Sequence, residues 1–216
     1  MSAIHHSMGK KKDLDYQLEY IDVGGYCFIS DFYPNNKSSF EAGFAYINQE
    51  YTNRGQVVFG SRNDWQKDAF LFPLGQWRNT GTWLQYGSLT KNVNLSTVTA
   101  YQNYIISITT SRSFIFNGKT LWTPSSQTFQ VSCPFTINET MSGGSLIESA
   151  EFCEMRFYYC KFWDDGNLVR HLVPCMHKKE GFVVKDLLSG KIFLPTLTSN
   201  QQYERYLIAG PPAFEK

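Results

Sequence analysis

Charge of either sign is scarce in this chain: 20 Lys and Arg against 19 Asp and Glu in 216 residues leave a formal net charge of +1. That excludes the broad basic field on which non-specific nucleic-acid binding depends, so neither DNA nor RNA is expected as the main partner. Long apolar runs are missing too. The longest, Phe70 to Leu74 and Tyr104 to Ile108, fall far short of the roughly 20 residues that a helical membrane span needs, and no span is expected. The five cysteines, Cys27, Cys133, Cys153, Cys160 and Cys175, are odd in number and form no C-x-x-C pair. Neither a zinc site nor a complete disulfide framework is indicated, and free, buried thiols are the expectation. No oxygen-rich D-x-D run marks a calcium site, and Walker, dinucleotide and nucleophile-elbow signatures are all missing. No metal and no cofactor is expected.

The amino terminus, MSAIHHSMGKKK, has a basic cluster but no apolar segment beside it, so it is not read as a secretory signal. Residues 1–15 are expected to form an extended arm and residues 16–216 a single folded domain. The size scaling supports one core, because on the order of 70% of the surface of a chain this long leaves water on folding.

What is abundant is aromatic surface. Aromatics make up 16% of residues and charged groups only 18%, a balance that suits pleated, half-buried sheets better than solvated helices. Period-2 apolar patterns broken by turn residues dominate from Leu18 onward, and no stretch of a dozen residues shows helical spacing. The fold class is therefore all-β. The strand candidates are Leu18 to Ile21, Tyr26 to Ser30, Ser38 to Tyr46, Gln56 to Arg62, Ala69 to Leu74, Thr82 to Tyr86, Asn103 to Thr109, Ser113 to Phe116, Gln127 to Pro134, Glu151 to Trp163, Leu168 to Pro174, Phe182 to Asp186, Lys191 to Pro195 and Tyr206 to Ala209. That many short strands predict two packed sheets or a barrel. A short helical turn is expected at Gln201 to Arg205.

Two turns follow from backbone chemistry. Asp165-Gly166 and Asn117-Gly118 each supply two adjacent residues that tolerate positive φ, the requirement of a type I′ hairpin. Ser189-Gly190 reads as a third. The Asp165-Gly166 turn predicts that Trp163 faces Leu168, Lys161 faces Arg170 and Cys160 faces His171. In that register Tyr158, Cys160, Phe162, Val169, His171 and Val173 face the core. Phe157, Tyr159, Lys161, Trp163, Leu168 and Arg170 then share the opposite face.

Several segments resemble one family. LEYIDVGGYCFISDFYPN (Leu18 to Asn35), FGSRND (Phe59 to Asp64), SFIFNGKTLW (Ser113 to Trp122), MRFYYCKFWDDGNLVRHLVPC (Met155 to Cys175) and GFVVKDLLSGKIFLP followed by LIAGP are similar to concanavalin A-like lectin/glucanase domains. The likeness is to the laminin G-like kind found in proteins of gut bacteria and their bacteriophages. The resemblance implies a two-sheet antiparallel jelly-roll sandwich with a concave sheet that binds glycans. It also implies a place on a virion or an extracellular surface, with the cytoplasm the alternative for a chain lacking a signal peptide. The TWLQYGS segment (Thr82 to Ser88) departs from the family pattern and keeps only its Tyr-Gly.

Glucanases of this fold carry catalytic carboxylates as E-x-D-x-x-E along one strand, flanking the sugar about 5 Å apart. The chain lacks that pattern. Glu148, Glu151 and Glu154 are spaced so that a strand would point Glu151 away from the other two, and strand-edge charges are the expectation. The chain is therefore not expected to be an enzyme.

Binding without catalysis needs aromatic faces for the apolar side of a pyranose and planar hydrogen-bonding groups beside them. Two groupings meet that description: Tyr159, Lys161, Trp163 and Arg170 on the Asp165-Gly166 hairpin, and Arg62, Asn63, Asp64 and Trp65 joined by Trp83 and Gln85. The alternative for the first is two packed aromatics under a loop with solvated cations, and for the second a polar loop beside a rim aromatic. Trp77 and Trp122 read as core or turn plugs, and His171 as a core histidine. The expected function is a lectin-like domain for glycan adhesion or surface attachment. The alternative is a structural virion decoration or fibre protein that docks onto neighbouring subunits, or onto a second copy, through residues 1–15.

Overall fold

Pleated ribbons that are apolar on one side bury that side by stacking in pairs. The structure, a computed structural model, describes residues 15–47, 57–64, 67–74, 82–94, 99–146, 154–197 and 205–213. In chain order the strands are β1 (Tyr16–Gln17), β2 (Ile21–Gly24), β3 (Tyr26–Ile29), β4 (Ser38–Tyr46), β5 (Val57–Asp64), β6 (Lys67–Leu74) and β7 (Thr82–Gly87). There follow β8 (Leu89–Val93), β9 (Asn103–Ile108), β10 (Phe114–Phe116), β11 (Lys119–Trp122), β12 (Thr136–Ile137), β13 (Met141–Ser142) and β14 (Ser145–Leu146). The last are β15 (Met155–Asp164), β16 (Asn167–His177), β17 (Gly181–Asp186), β18 (Ile192–Phe193), β19 (Pro195–Leu197) and β20 (Tyr206–Ala209). Among the described residues there is no helix, hence none long and apolar enough to cross a membrane.

The strands form two sheets packed against each other, an all-β sandwich. The larger runs β11-β10-β9-β4-β15-β16-β17-β18, with β1, β2 and β20 branching from it; the smaller runs β19-β3-β12-β5-β6-β7-β8, with β13 and β14 attached at β5. Among the described residues pairing is antiparallel except for the short β13–β5 contact and the isolated Tyr46–Ala100 bridge. Phenylalanine dominates the interior. Phe40 and Phe44 of the larger sheet pack on Phe59, with Phe40 also against Phe70 and Phe72 of the smaller. Phe135 meets Phe162 with ring centroids 4.6 Å apart. The buried tyrosine tips find partners, Tyr46 Oη donating to Leu74 O and Tyr86 Oη to Asn36 O, which removes the cost of burying a bare hydroxyl.

Both tight turns have the expected backbone: φ is 47° and 80° at Asp165 and Gly166, and 46° and 77° at Asn117 and Gly118. The third hairpin closes through four residues, with Asp186 N donating to Lys191 O and Gly190 N to Asp186 O.

Other expectations are corrected. Gln127 to Pro134 is extended and alternately buried at Phe129, Val131 and Cys133, yet its one ladder contact is the Gln130–Asn35 bridge. Its remaining backbone partners are irregular segments such as Pro34. The first long candidate is displaced from Leu18–Ile21 to β2. The predicted hairpin register holds only beside the turn. Trp163 pairs with Leu168, but Phe162 pairs with Arg170, Lys161 with His171 and Cys160 with Leu172, because a bulge leaves Val169 without a counterpart. One extra residue exchanges the faces of everything beyond it. His171 therefore leaves the core face, and Arg170 joins it.

A second bulge lies on the other side of β15. Phe157 pairs with Phe44 and Tyr159 with Gly43, so Tyr158 is the unpaired residue. Phe157, Cys160 and Phe162 are fully buried, whereas Tyr158 and Tyr159 are both half-buried. Tyr158 and Phe157 thus exchange the faces expected of them. The helical turn expected at Gln201 to Arg205, Trp77, Glu148 and Glu151, and residues 1–14 of the expected arm lie outside the described residues. Asp15 is tied to the domain, its Oδ1 accepting from Lys178 N.

Candidate functional site

The outer face of the larger sheet collects aromatic and polar side chains. Pairing aligns Ile208, Asp22, Arg156, Ala45 and Asn103 in one row across β20, β2, β15, β4 and β9. A second row, His171, Lys161, Glu41 and Ser107, crosses β16, β15, β4 and β9. Between them lie Tyr158 and Tyr159. The Tyr159 ring lies over Gly43, where an added Cβ would come within 2.6 Å of it. Tyr159 Oη donates to Glu41 Oε1 at 2.9 Å, and Lys161 Nζ sits 5.3 Å from the ring centre. Burial, reinforced by the Glu41 carboxylate, raises the Tyr159 phenol well above its usual range, so it remains a neutral donor.

Arg156 organises the other end of this face. Its guanidinium binds Asp22 through two charge-assisted hydrogen bonds, 2.7 and 2.9 Å, and lies 3.6 Å from the Tyr20 ring centre and 5.6 Å from that of Tyr101. Tyr158 meets Tyr20 edge-on and donates to Asn103 Oδ1. Tyr101 is 61% exposed and holds a φ of 59°, a conformation unusual for a bulky residue and one that local structure must maintain. Its N–H donates to Tyr46 O at 2.7 Å. Ile105, 49% exposed, lies opposite Gly43 on the same face.

Of the first predicted grouping, Tyr159, Lys161 and Trp163 do share this face, all half-buried. Arg170 does not. The bulge turns it inward at the end of the sandwich, where it holds Asp31 at 2.9 and 3.2 Å and approaches Asp186 at 3.8 Å. Lys191 also reaches Asp31, at 3.0 Å. Burial works to raise the Asp31 carboxyl, but the hydrogen bonds from Arg170 and Lys191 outweigh it and hold it below its ordinary value. This is a structural clamp between the two sheets. His171 stands beside Lys161 on the outer face, and burial followed by that neighbouring cation lowers its basicity. The residue that period-2 alternation assigns to the wrong face is Tyr158, which only the bulge places beside Tyr159. Arg156, Asp22, Tyr20 and Tyr101 carry no local motif, and distant strands bring them together.

The second grouping divides. Arg62 and Gln85 lie together on the outer face of the smaller sheet, Arg62 Nη1 3.5 Å from Gln85 Oε1, and both are buried. Asn63 serves the framework instead, its Oδ1 accepting from Ser132 N and Oγ and its Nδ2 donating to Asp68 and to Gln130 O. Asp64 pairs with Lys67 at the β5–β6 turn. Trp83, half-buried, pairs with Asn92, and Trp65 lies outside the described residues. Trp122 packs on Phe114 with ring centres 5.2 Å apart, as a core plug would.

No family model matches the chain, and no curated protein matches it.

Proposed function

We propose that this chain is a non-catalytic glycan-binding domain, a lectin-like jelly roll whose sugar lies on the outer face of the larger sheet. The observation that carries this reading is the alternation on that face of rings with planar hydrogen-bonding groups. Tyr101, Tyr158, Tyr159 and Trp163 offer faces for the apolar side of pyranose rings, and Asn103, Lys161 and the Asp22–Arg156 pair, stacked on Tyr20, offer directed polar contacts beside them. The face already meets its own needs, since Glu41 takes the Tyr159 proton donor and Asp22 takes Arg156. Neither carboxylate is presented as one of a free acid pair, which supports binding over hydrolysis.

On this reading the domain works in adhesion or surface attachment, and display on a bacteriophage virion follows from the sequence resemblance. A glycan array probed with the full chain, followed by calorimetry on the strongest hit, tests it. Trp163→Ala and Tyr159→Ala should each weaken binding about tenfold, equivalent to about 1.4 kcal/mol. An array without hits, from a chain that still assembles into particles, would favour the structural virion component.

A further inference from the structure

The outer face of the larger sheet carries two basic side chains set side by side with no counter-ion between them. The bulge at Val169 pairs His171 with Lys161, so their side chains rise from adjacent strands at directly opposite positions, with Cβ atoms about 5 Å apart. Both are half-buried. Tyr159 and Trp163 flank Lys161 on the same face, each about 7 Å away along β15. The acids that face this pair are engaged elsewhere. Glu41, opposite Lys161 on β4, accepts from Tyr159 Oη. Asp186 of β17 accepts from His171 N, Leu188 N and Ser189 Oγ and lies near Arg170. Lys185, the other charged residue of β17, stands opposite Val173. Among the described residues Lys161 Nζ rests near the Tyr159 ring and forms no ion pair, and the His171 ring forms no hydrogen bond.

We infer that Lys161 and His171 together seat an anionic substituent of the bound glycan, a carboxylate or a sulfate ester, while the sugar ring rests on Tyr159 or Trp163. This depends on the glycan reading above and narrows it to acidic glycans. Like charges placed opposite each other on a sheet repel, and burial followed by the Lys161 charge already lowers the basicity of His171. An anion between them reverses that balance. The ammonium and the imidazolium each donate a charge-assisted hydrogen bond to its oxygens, whereas a sugar that bears only hydroxyl groups leaves the repulsion in place. The same linkage sets a sign for pH. An anion raises the His171 pKa, so binding takes up a proton and strengthens as pH falls from about 7.5 to about 5.5, a range in which carboxylates and sulfate esters stay ionised.

The test is a glycan array printed with neutral, uronate-bearing and sulfated chains and probed with the full chain. Calorimetry follows on the strongest hit and on its neutral counterpart, the methyl ester or the desulfated form. The strongest hit should carry a carboxylate or a sulfate, and uronate-only against sulfate-only chains tells which. Its neutral counterpart should bind about tenfold more weakly, the difference between a charge-assisted and an ordinary hydrogen bond. Lys161→Met should abolish that preference, and Lys161→Arg, which keeps the cation, should retain it. Wild type should bind the acidic ligand severalfold more tightly at about pH 5.5 than at about pH 7.5, and His171→Gln should bind it equally at both. Hits that are all neutral, or equal affinity for the acidic and neutral forms, overturn the inference and leave the glycan reading standing, whereas an array without hits overturns both. A preference that survives in Lys161→Met, or a pH dependence unchanged in His171→Gln, overturns the inference as well.

Discussion

Replacing Asp186 should expose how the β17–β18 turn and the inward-turned Arg170 are held at one end of the sandwich. Its carboxylate is fully buried. Oδ1 accepts from His171 N at 2.9 Å and Leu188 N at 3.2 Å, and Oδ2 accepts from Ser189 Oγ at 2.6 Å and stands 3.8 Å from Arg170 Nε. Asp186→Ala strands two backbone donors, each worth about 1–3 kcal/mol, and removes a counter-charge from Arg170, for a total of about 3–5 kcal/mol. In a chain of this size that lowers Tm by about 10 °C. Asp186→Asn keeps an acceptor for the two N–H groups and loses only the charge, so about 1–2 kcal/mol is expected. Burial works to raise the Asp186 carboxyl, but the Ser189, His171 and Leu188 hydrogen bonds and the Arg170 charge outweigh it and hold it below the ordinary value. A carboxyl so lowered stabilises the fold above its unfolded pKa of about 3.9, and that contribution fades as pH falls through the folded value. Melts followed by circular dichroism between pH 3 and 7 should therefore show the gap between wild type and Asp186→Asn narrowing toward acid. A gap independent of pH, or an alanine variant within a degree of wild type, would refute the clamp.

Other perturbations separate framework from surface. Gly60 has φ of 138°, and an added Cβ would lie 2.1 Å from Phe70 O, so Gly60→Ala should cost more than about 3 kcal/mol in chemical denaturation. Gly166, with φ of 80° and open space around it, should lose only about 1 kcal/mol on mutation to alanine. Gly43→Ala drives a methyl into the Tyr159 ring, and glycan affinity should fall severalfold by calorimetry while the circular dichroism spectrum is retained. Arg156→Lys gives up a two-point contact with Asp22 and should lower stability by about 1–2 kcal/mol.

The strands were legible because an amphipathic ribbon writes its period into the sequence, and the Asp-Gly and Asn-Gly turns because positive φ restricts residue choice. The bulges on β15 and β16 were not. A bulge adds one residue without a compositional mark, yet it reversed Arg170 and His171 and placed Tyr158 beside Tyr159. The segment from Gln127 to Pro134 shows the converse: Phe129, Val131 and Cys133 alternate because the segment is extended and buried, and alternation does not require a ladder. Strand β8 was missed because its side chains at the sheet edge are partly or fully exposed, which leaves no apolar period to read. For the sites, periodicity tells which way Arg62 and Gln85 point relative to the core, but it carries no information on whether that outer face is buried.

The central claim is that the aromatic face of the larger sheet holds carbohydrate. Its most direct measurement is a pair of titrations, wild type and Trp163→Ala, against the strongest glycan from an array, with chemical shifts or hydrogen exchange mapping the contact. The account predicts protection centred on Tyr158 to Trp163 and Asn103, and about tenfold weaker binding by the variant. Protection elsewhere on the domain, or equal affinity of the two proteins, would contradict it.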